Sequence, residues 1–485
     1  MSVRRNVLWM AAAQGCAFAT QFATTVVLAR LLTPYEMGVF AAALAVLGLL
    51  TILRSLGLGS YVIRVGALTP AVLETTFTVN LLSSLLISAG VAGLSVLGGA
   101  ALNEPGVQRV LLVVAVVPLV SIFEFRPAVV MERHGRFRGL AAVNIARAVT
   151  GAGVALVLAY RGHSYMSLAY GQLAGGVVAA ALFNAVGWRH VSLRCGLGDW
   201  REVMRYGAHM LAISATGIAA TRLAELALAR MLGLNALGMY SRASGVANML
   251  WESIHMTVSR AVFVDLAEQR RQGRSMREGY LRMVAMMAGL LWPVFTGLAV
   301  VSGPVVVLLY GQQWLAAQLP LSLLALSSVP VATIALSGGL FMVAGRTGEQ
   351  ARLEAIRAAV GLVLFLGGCM IGLDWAAASR VLEAVVAVLL TRRQVQDMTG
   401  TRERDFTAIY LRSLALTVAA VGPAVAVMAW HGWNPLAPLG AVAAAILAGV
   451  VLWAVLLHQM RHPLIDEAAW LLGRLRLTRA ARQEM

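Results

Sequence analysis

Long apolar runs alternate with short polar separators from one end of this chain to the other. A helix needs about 20 apolar residues to cross the hydrocarbon core of a bilayer. The runs predict about fourteen such helices, at roughly 7–29, 37–60, 72–98, 107–125, 138–160, 165–187, 207–229, 236–262, 281–309, 317–343, 353–372, 375–391, 407–430 and 437–458. They are continuous rather than alternating in polarity, which argues against a membrane β-barrel. The separators carry turn chemistry, as in Thr33-Pro34, Asn103-Glu104-Pro105-Gly106 and Asn434-Pro435. They are short and leave no room for an extramembrane domain. The expected fold class is therefore all-α, a polytopic membrane protein.

Composition excludes the other broad classes. Hydrophobic residues make up 59% of the 485 and charged residues 13%, with a mean hydropathy of +0.78. Average soluble domains carry about twice that share of charge, and disordered chains are poor in apolar residues. The net charge is +17, and every cation is Arg, with no Lys. Nucleic acid is not expected as a partner, because the arginines sort by membrane side. Loops after even-numbered spans hold Arg133/Arg136/Arg138, Arg189/Arg194/Arg201/Arg205, Arg270/Arg271/Arg274/Arg277 and Arg392/Arg393/Arg402/Arg404, whereas the other loops hold little beyond Arg30, Arg109, Arg161 and Arg230. Positive charge stays inside, so both termini are expected in the cytoplasm. Arg4 and Arg5 before an apolar run imitate a signal peptide, but the run continues to Leu28, too long for an h-region. Cys16, Cys195 and Cys369 suggest neither a disulfide framework nor a metal site.

An internal repeat organises the helices. Leu28, Ala29, Arg30, Leu32 and Gly38 recur at an offset of 200 as Leu228, Ala229, Arg230, Leu232 and Gly238, and Phe40 becomes Tyr240. Arg133-x-Gly135 similarly recurs as Arg346-x-Gly348. The offset spans six helices, an even number, so the halves keep one orientation and form a parallel repeat. The expected domains are an N-lobe at 1–195, a C-lobe at 196–400, an additional helix pair at 401–458 and a basic tail at 459–485 along the inner leaflet.

The same residues carry a family likeness. Leu28-Ala-Arg-Leu-Leu-Thr-Pro-Tyr-Glu-Met-Gly-Val-Phe40 and Leu53-Arg-Ser-Leu-Gly-Leu-Gly-Ser-Tyr-Val-Ile-Arg64 are two pieces. Leu237-Gly-Met-Tyr-Ser-Arg-Ala243, Tyr280-Leu-Arg282, Trp292-Pro293 and Leu309-Tyr-Gly-Gln-Gln-Trp314 follow in order. Together they resemble the polysaccharide transporter branch of the multidrug/oligosaccharidyl-lipid/polysaccharide flippase superfamily. The likeness implies a two-lobe transporter that flips lipid-linked saccharides across the bacterial inner membrane. Family members often have an acid in the stretch matching Arg54-Ser55-Leu56, where this chain has none.

Charged residues inside spans are the candidate site. A central Arg costs about 3 kcal/mol on the lenient insertion scale, so each must pair or face water. Arg222 with Glu225, Arg357 with Glu354 and Arg380 with Glu383 stand three apart on one helix and are placed to neutralise each other. Arg54, Arg147 and Arg242 have no acid at that spacing. They need a partner on another helix, an interface to snorkel to, an aqueous cavity or an anionic ligand. A lipid pyrophosphate would be such a ligand, since guanidinium forks match its oxygens. Arg54, Arg147, Arg242 and Arg222 are thus the expected substrate-binding cations. Gln14, Gln21 and Thr25 form a polar stripe on the first span, and Ser214 and Thr221 repeat it at an offset of 200. These stripes either line a central cavity or bond between helices. Glu225 and Glu252, the latter three residues from His255, are candidate ion-coupling acids.

The leading expectation is a flippase that moves a polyprenyl-diphosphate oligosaccharide by alternating access, with no bond made or broken. Its partners would be that lipid-linked cargo, membrane lipids and polysaccharide polymerase or export machinery, with no cofactor and no metal. A drug/cation antiporter of the same superfamily is the alternative, disfavoured by the surplus of buried Arg. A membrane polymerase or glycosyltransferase would need positioned carboxylates that the short outward loops do not offer. A scaffold for envelope proteins is a third class.

Overall fold

The computed structural model describes residues 3–66, 68–102, 104–187, 194–271 and 276–465; within these, the side chains at 3–14, 17, 97–102, 209–210, 212–214 and 256–271 are left aside. Seventeen α-helices and no strand occur among the described residues, so the protein is all-α. The chain divides into two compact units, residues 1–239 and 240–485.

The first unit contains α1 (Val3–Leu31), α2 (Pro34–Leu50), α3 (Leu58–Arg64), α4 (Pro70–Leu102), α5 (Pro105–Val114), α6 (Val116–Arg133), α7 (Phe137–Tyr160), α8 (Met166–Val186) and the first part of α9 (Trp200–Arg271). The start of α2 is written in Thr33-Pro34-Tyr35-Glu36. The Thr33 Oγ1 accepts from the Glu36 N–H at 3.3 Å, and the Glu36 carboxylate accepts from the Thr33 N–H at 2.7 Å. This capping box, with Pro34 already fixed in helical φ, is worth about 1 kcal/mol.

The sequence predicts one continuous span over 37–60, and the structure breaks it. The helix tightens to a 3-10 turn over Thr51–Leu56, and Gly57 takes the left-handed conformation (φ 60°, ψ 29°) before α3 resumes. A side chain at position 57 would be strained there. A similar interruption lies within α9, where Gly233 (φ 86°, ψ 170°) separates the seventh and eighth expected spans.

The second unit contains the rest of α9, then α10 (Met276–Val300), α11 (Ser302–Tyr310), α12 (Gln318–Val331), α13 (Ser337–Ala344), α14 (Thr347–Ile371), α15 (Leu373–Thr399), α16 (Glu403–Trp430) and α17 (Leu439–Gln459). Its spine is α10, which contributes Tyr280, Met283, Val284 and Met286 to a core shared with Leu340, Val395 and Phe406. Inside a bilayer such packing is held by close van der Waals fit rather than by removal from water.

Ten stretches are long and apolar enough to cross a membrane among the described residues. These correspond to expected spans 2–6, 9–11, 13 and 14. The remaining four lie in α1, the two parts of α9, and α15, which are helical but are not among the ten. The protein is a multi-pass helical membrane protein.

Candidate functional site

The break between α2 and α3 shapes a cavity of about 270 Å³ lined by Arg54, Ser60, Asn80, Ser83, Phe125 and Glu132. Arg54 is exposed to it and has no ion pair among the described residues. Across from it, the buried Asn80 presents an amide nitrogen with no hydrogen-bond partner. Arg133 fixes the far end of α3: its guanidinium donates to the carbonyls of Val62, Val65 (2.8 Å) and Gly66 (3.0 Å). These are carbonyls a helix end leaves unsatisfied.

Two further candidate arginines gather in the same unit, each beside an acid. Arg147 of α7 donates to Glu124 of α6, and this pair lies within electrostatic reach of Arg54. The partner on another helix was one of the expected resolutions for Arg147, and it leaves that residue with less charge to offer than Arg54. Arg222 pairs with Glu225 at 2.7 Å, as the spacing predicts, and lies flat on α2, where a Cβ at Gly48 would sit 2.5 Å from its Nε. Arg54, Arg133, Arg147 and Arg222 thus stand against Glu124, Glu132 and Glu225 around the interrupted helix, an excess of one positive charge that suits an anionic group.

In the second unit, Arg242 is half-buried beside Tyr310, with its Nε unpartnered and no carboxylate against it among the described residues. Glu252 is exposed, and His255 stacks on Trp251 with its Nε2 3.2 Å from the Ala335 carbonyl oxygen. The two remaining predicted pairs form: Arg357 lies 3.2 Å from Glu354, and Arg380 lies 2.5 Å from Glu383. Glu383 also lies 3.4 Å from the Arg357 Nε. Arg380 further donates to the Tyr240 hydroxyl at 3.3 Å and sits 4.4 Å from the Phe365 ring centroid. Every charge in this cluster is answered from within it, which marks it as structural.

Of the polar stripes, Gln21 is exposed, Thr25 is half-buried, and Thr221 is exposed with its hydroxyl donating to the Gly217 carbonyl at 3.0 Å. The side chains of Gln14 and Ser214, Arg189, Arg274 and the tail from residue 466 lie outside the described residues. Sequence reasoning missed Asn80 and Ser83. Their signal was available, because Thr76, Asn80 and Ser83 recur at helical spacing along α4.

A family model described as polysaccharide biosynthesis protein matches residues 27–319. The chain belongs to this polysaccharide biosynthesis family. Among curated relatives of the family, it is 24% identical over 322 residues to the lipopolysaccharide biosynthesis protein WzxC of Escherichia coli, covering 65% of each chain. It is also 24% identical over 326 residues to the succinoglycan biosynthesis transport protein ExoT of Rhizobium meliloti, covering 67% of this chain and 66% of that one. The chain thus spans about two thirds of the length of the relatives it matches. In fold, this family member resembles the lipid II flippase MurJ in an inward closed conformation, with a TM-score of 0.76 at 12% identity, covering 94% of this chain and 100% of that one. An inward-facing multidrug resistance MATE transporter of the MOP superfamily follows, with a TM-score of 0.62 at 16% identity, covering 79% of this chain and 96% of that one. The fold is that of MurJ and MATE transporters, in line with the resemblance read from the sequence motifs.

Proposed function

We propose that the protein is a flippase that carries a polyprenyl-diphosphate-linked oligosaccharide from the cytoplasmic to the periplasmic leaflet of the bacterial inner membrane. It is a transporter, so the cargo leaves chemically unchanged. The observation that carries this reading is Arg54, an unpaired guanidinium facing a polar cavity at a helix break within a membrane span. Such a charge calls for an anion, and a diphosphate supplies one with the oxygen geometry that guanidinium forks fit. The names of the relatives support a glycan cargo, and the MurJ-like fold supports a flipping mechanism.

In this reading, Arg54 is the primary phosphate partner. Arg147, Arg222 and Arg242 shape the positive potential, and Gln14, Gln21, Thr25, Ser214 and Thr221 wet the route taken by the saccharide. Glu252 is the better of the two coupling acids, because Arg222 holds Glu225. Fourteen spans, lobes at 1–195 and 196–400, an additional pair at 401–458 and cytoplasmic termini complete the proposal.

The test is surface-glycan export in cells that depend on this protein, with membrane abundance measured in parallel. Arg54→Gln should abolish export at normal abundance, and Arg54→Lys should retain part of it. Undiminished export by a variant lacking Arg54, Arg147 and Arg242 together would discard the cationic-site reading.

A further inference from the structure

Beyond α17 the chain turns back on itself. Arg461 takes left-handed backbone (φ 49°), and the His462 N–H donates to the Leu457 carbonyl at 3.1 Å. This is the closing bond of a Schellman-type helix end. The turn delivers the His462 ring, 4% exposed, against α10, where a Cβ at Gly289 would lie 2.8 Å from it.

Beside this ring is a cavity of about 310 Å³ lined by Arg282 of α10, Asp405, Ile409 and Arg412 of α16, and His462 and Pro463. Its one carboxylate is already engaged. Both Asp405 oxygens accept from the Arg277 guanidinium, at 2.8 and 2.9 Å, and one also accepts from the Arg402 N–H at 2.8 Å. Arg412 makes no ion pair among the described residues. It stands in the third turn of α16, next to Leu411 and close to Leu414, which are 62% and 51% exposed. Exposed leucines on a membrane helix meet lipid, so Arg412 stands at the depth of the bilayer edge rather than in open water. An unpaired guanidinium there is relieved either by snorkelling or by a fixed anion. The cavity beside it, with a second guanidinium on the opposite wall, favours the fixed anion.

We propose that this cavity binds the phosphate of an anionic phospholipid headgroup, with Arg412 as the direct partner and Arg282 alongside. The lipid is favoured over a free phosphate because the site opens beside exposed apolar side chains of α16. An anionic lipid is favoured over a zwitterionic one because Asp405 is spent on Arg277. The beginnings of α10 and α16 and the end of α17 meet at the side that the arginine distribution assigns to the cytoplasm. The bound lipid therefore comes from the inner leaflet, and it also anchors the segment that leads into the basic tail.

The experiment uses the full-length protein in nanodiscs of phosphatidylcholine alone or with phosphatidylglycerol, read by Tm and by native mass spectrometry of retained lipid. Phosphatidylglycerol should raise Tm and stay bound to the wild type. Arg412→Gln should lose at least half of that Tm gain and most of the retained lipid. Arg64→Gln, in the other unit, should keep both. Arg282→Gln/Arg412→Gln should lose the remainder, and if that variant does not fold, Arg412→Gln decides alone. Full retention by Arg412→Gln, or an equal Tm rise from inorganic phosphate in phosphatidylcholine discs, would overturn the proposal. No cargo is present, so the outcome is independent of the flippase reading.

Discussion

Gly38 and Gly238 press against each other's helices. A methyl group on Gly38 would fall 1.8 Å from the Leu234 carbonyl oxygen, and one on Gly238 would fall 1.9 Å from the Pro34 carbonyl oxygen. Both the glycines and the carbonyls they meet are related by the offset of 200 seen in the sequence repeat. The contact is self-complementary, as a two-fold relation between the two motif copies requires.

Replacing either glycine should therefore destabilise the protein, although Ala is the better helix former by about 1 kcal/mol. The clash is with backbone, which cannot swing aside, and overpacking costs about 1–3 kcal/mol. Gly38→Ala and Gly238→Ala are expected to lower Tm in detergent, whereas Gly217→Ala, which meets nothing within 4 Å, should not.

Glu383 answers two guanidiniums, and its side chain is 13% exposed, against 52% for Glu354. Removing one partner of a buried pair costs about 3–5 kcal/mol because it strands the other charge. An exposed pair contributes about 0–1 kcal/mol. Glu383→Gln should thus reduce Tm and membrane abundance sharply and Glu354→Gln little. Glu383→Gln/Arg380→Met should recover part of the loss.

The Arg147–Glu124 pair gives a related expectation. Glu124→Gln should weaken stability more than the double variant Glu124→Gln/Arg147→Gln, because the single change leaves a guanidinium without its carboxylate. A double-mutant cycle on Tm measures the coupling.

Much of this charge arrangement was legible in the sequence, and the division has a physical cause. Arg222/Glu225, Arg357/Glu354 and Arg380/Glu383 are three apart, and helix geometry alone brings such residues together. Arg147 and Glu124 lie on different helices, and nothing in periodicity announces their meeting. The same is true of Arg277 and Asp405. The break at Gly57 lies within a run apolar enough to be read as one span, and only Arg54-Ser55 and Leu56-Gly57-Leu58-Gly59 hint at it.

His462 makes stability depend on pH. Burial, with Arg412 nearby, pushes its imidazole below the ordinary value of about 6.5. Arg282, Arg412 and Asp405 line the adjoining cavity from α10 and α16. A ring held neutral in the fold contributes stability that is complete above about pH 6.5 and is lost as pH falls through that value toward the lower folded one. The Tm of the wild type should drop over that interval, and His462→Gln should flatten the drop.

Gly289 serves two neighbours at once: its carbonyl accepts from the Trp453 indole N–H at 3.0 Å, and its missing side chain leaves room for His462. A slide of α17 along α10 by even one residue would forfeit both fittings together. Whatever strokes the second unit makes, α10 and α17 must travel through them as one keyed block, and the bending has to be found elsewhere.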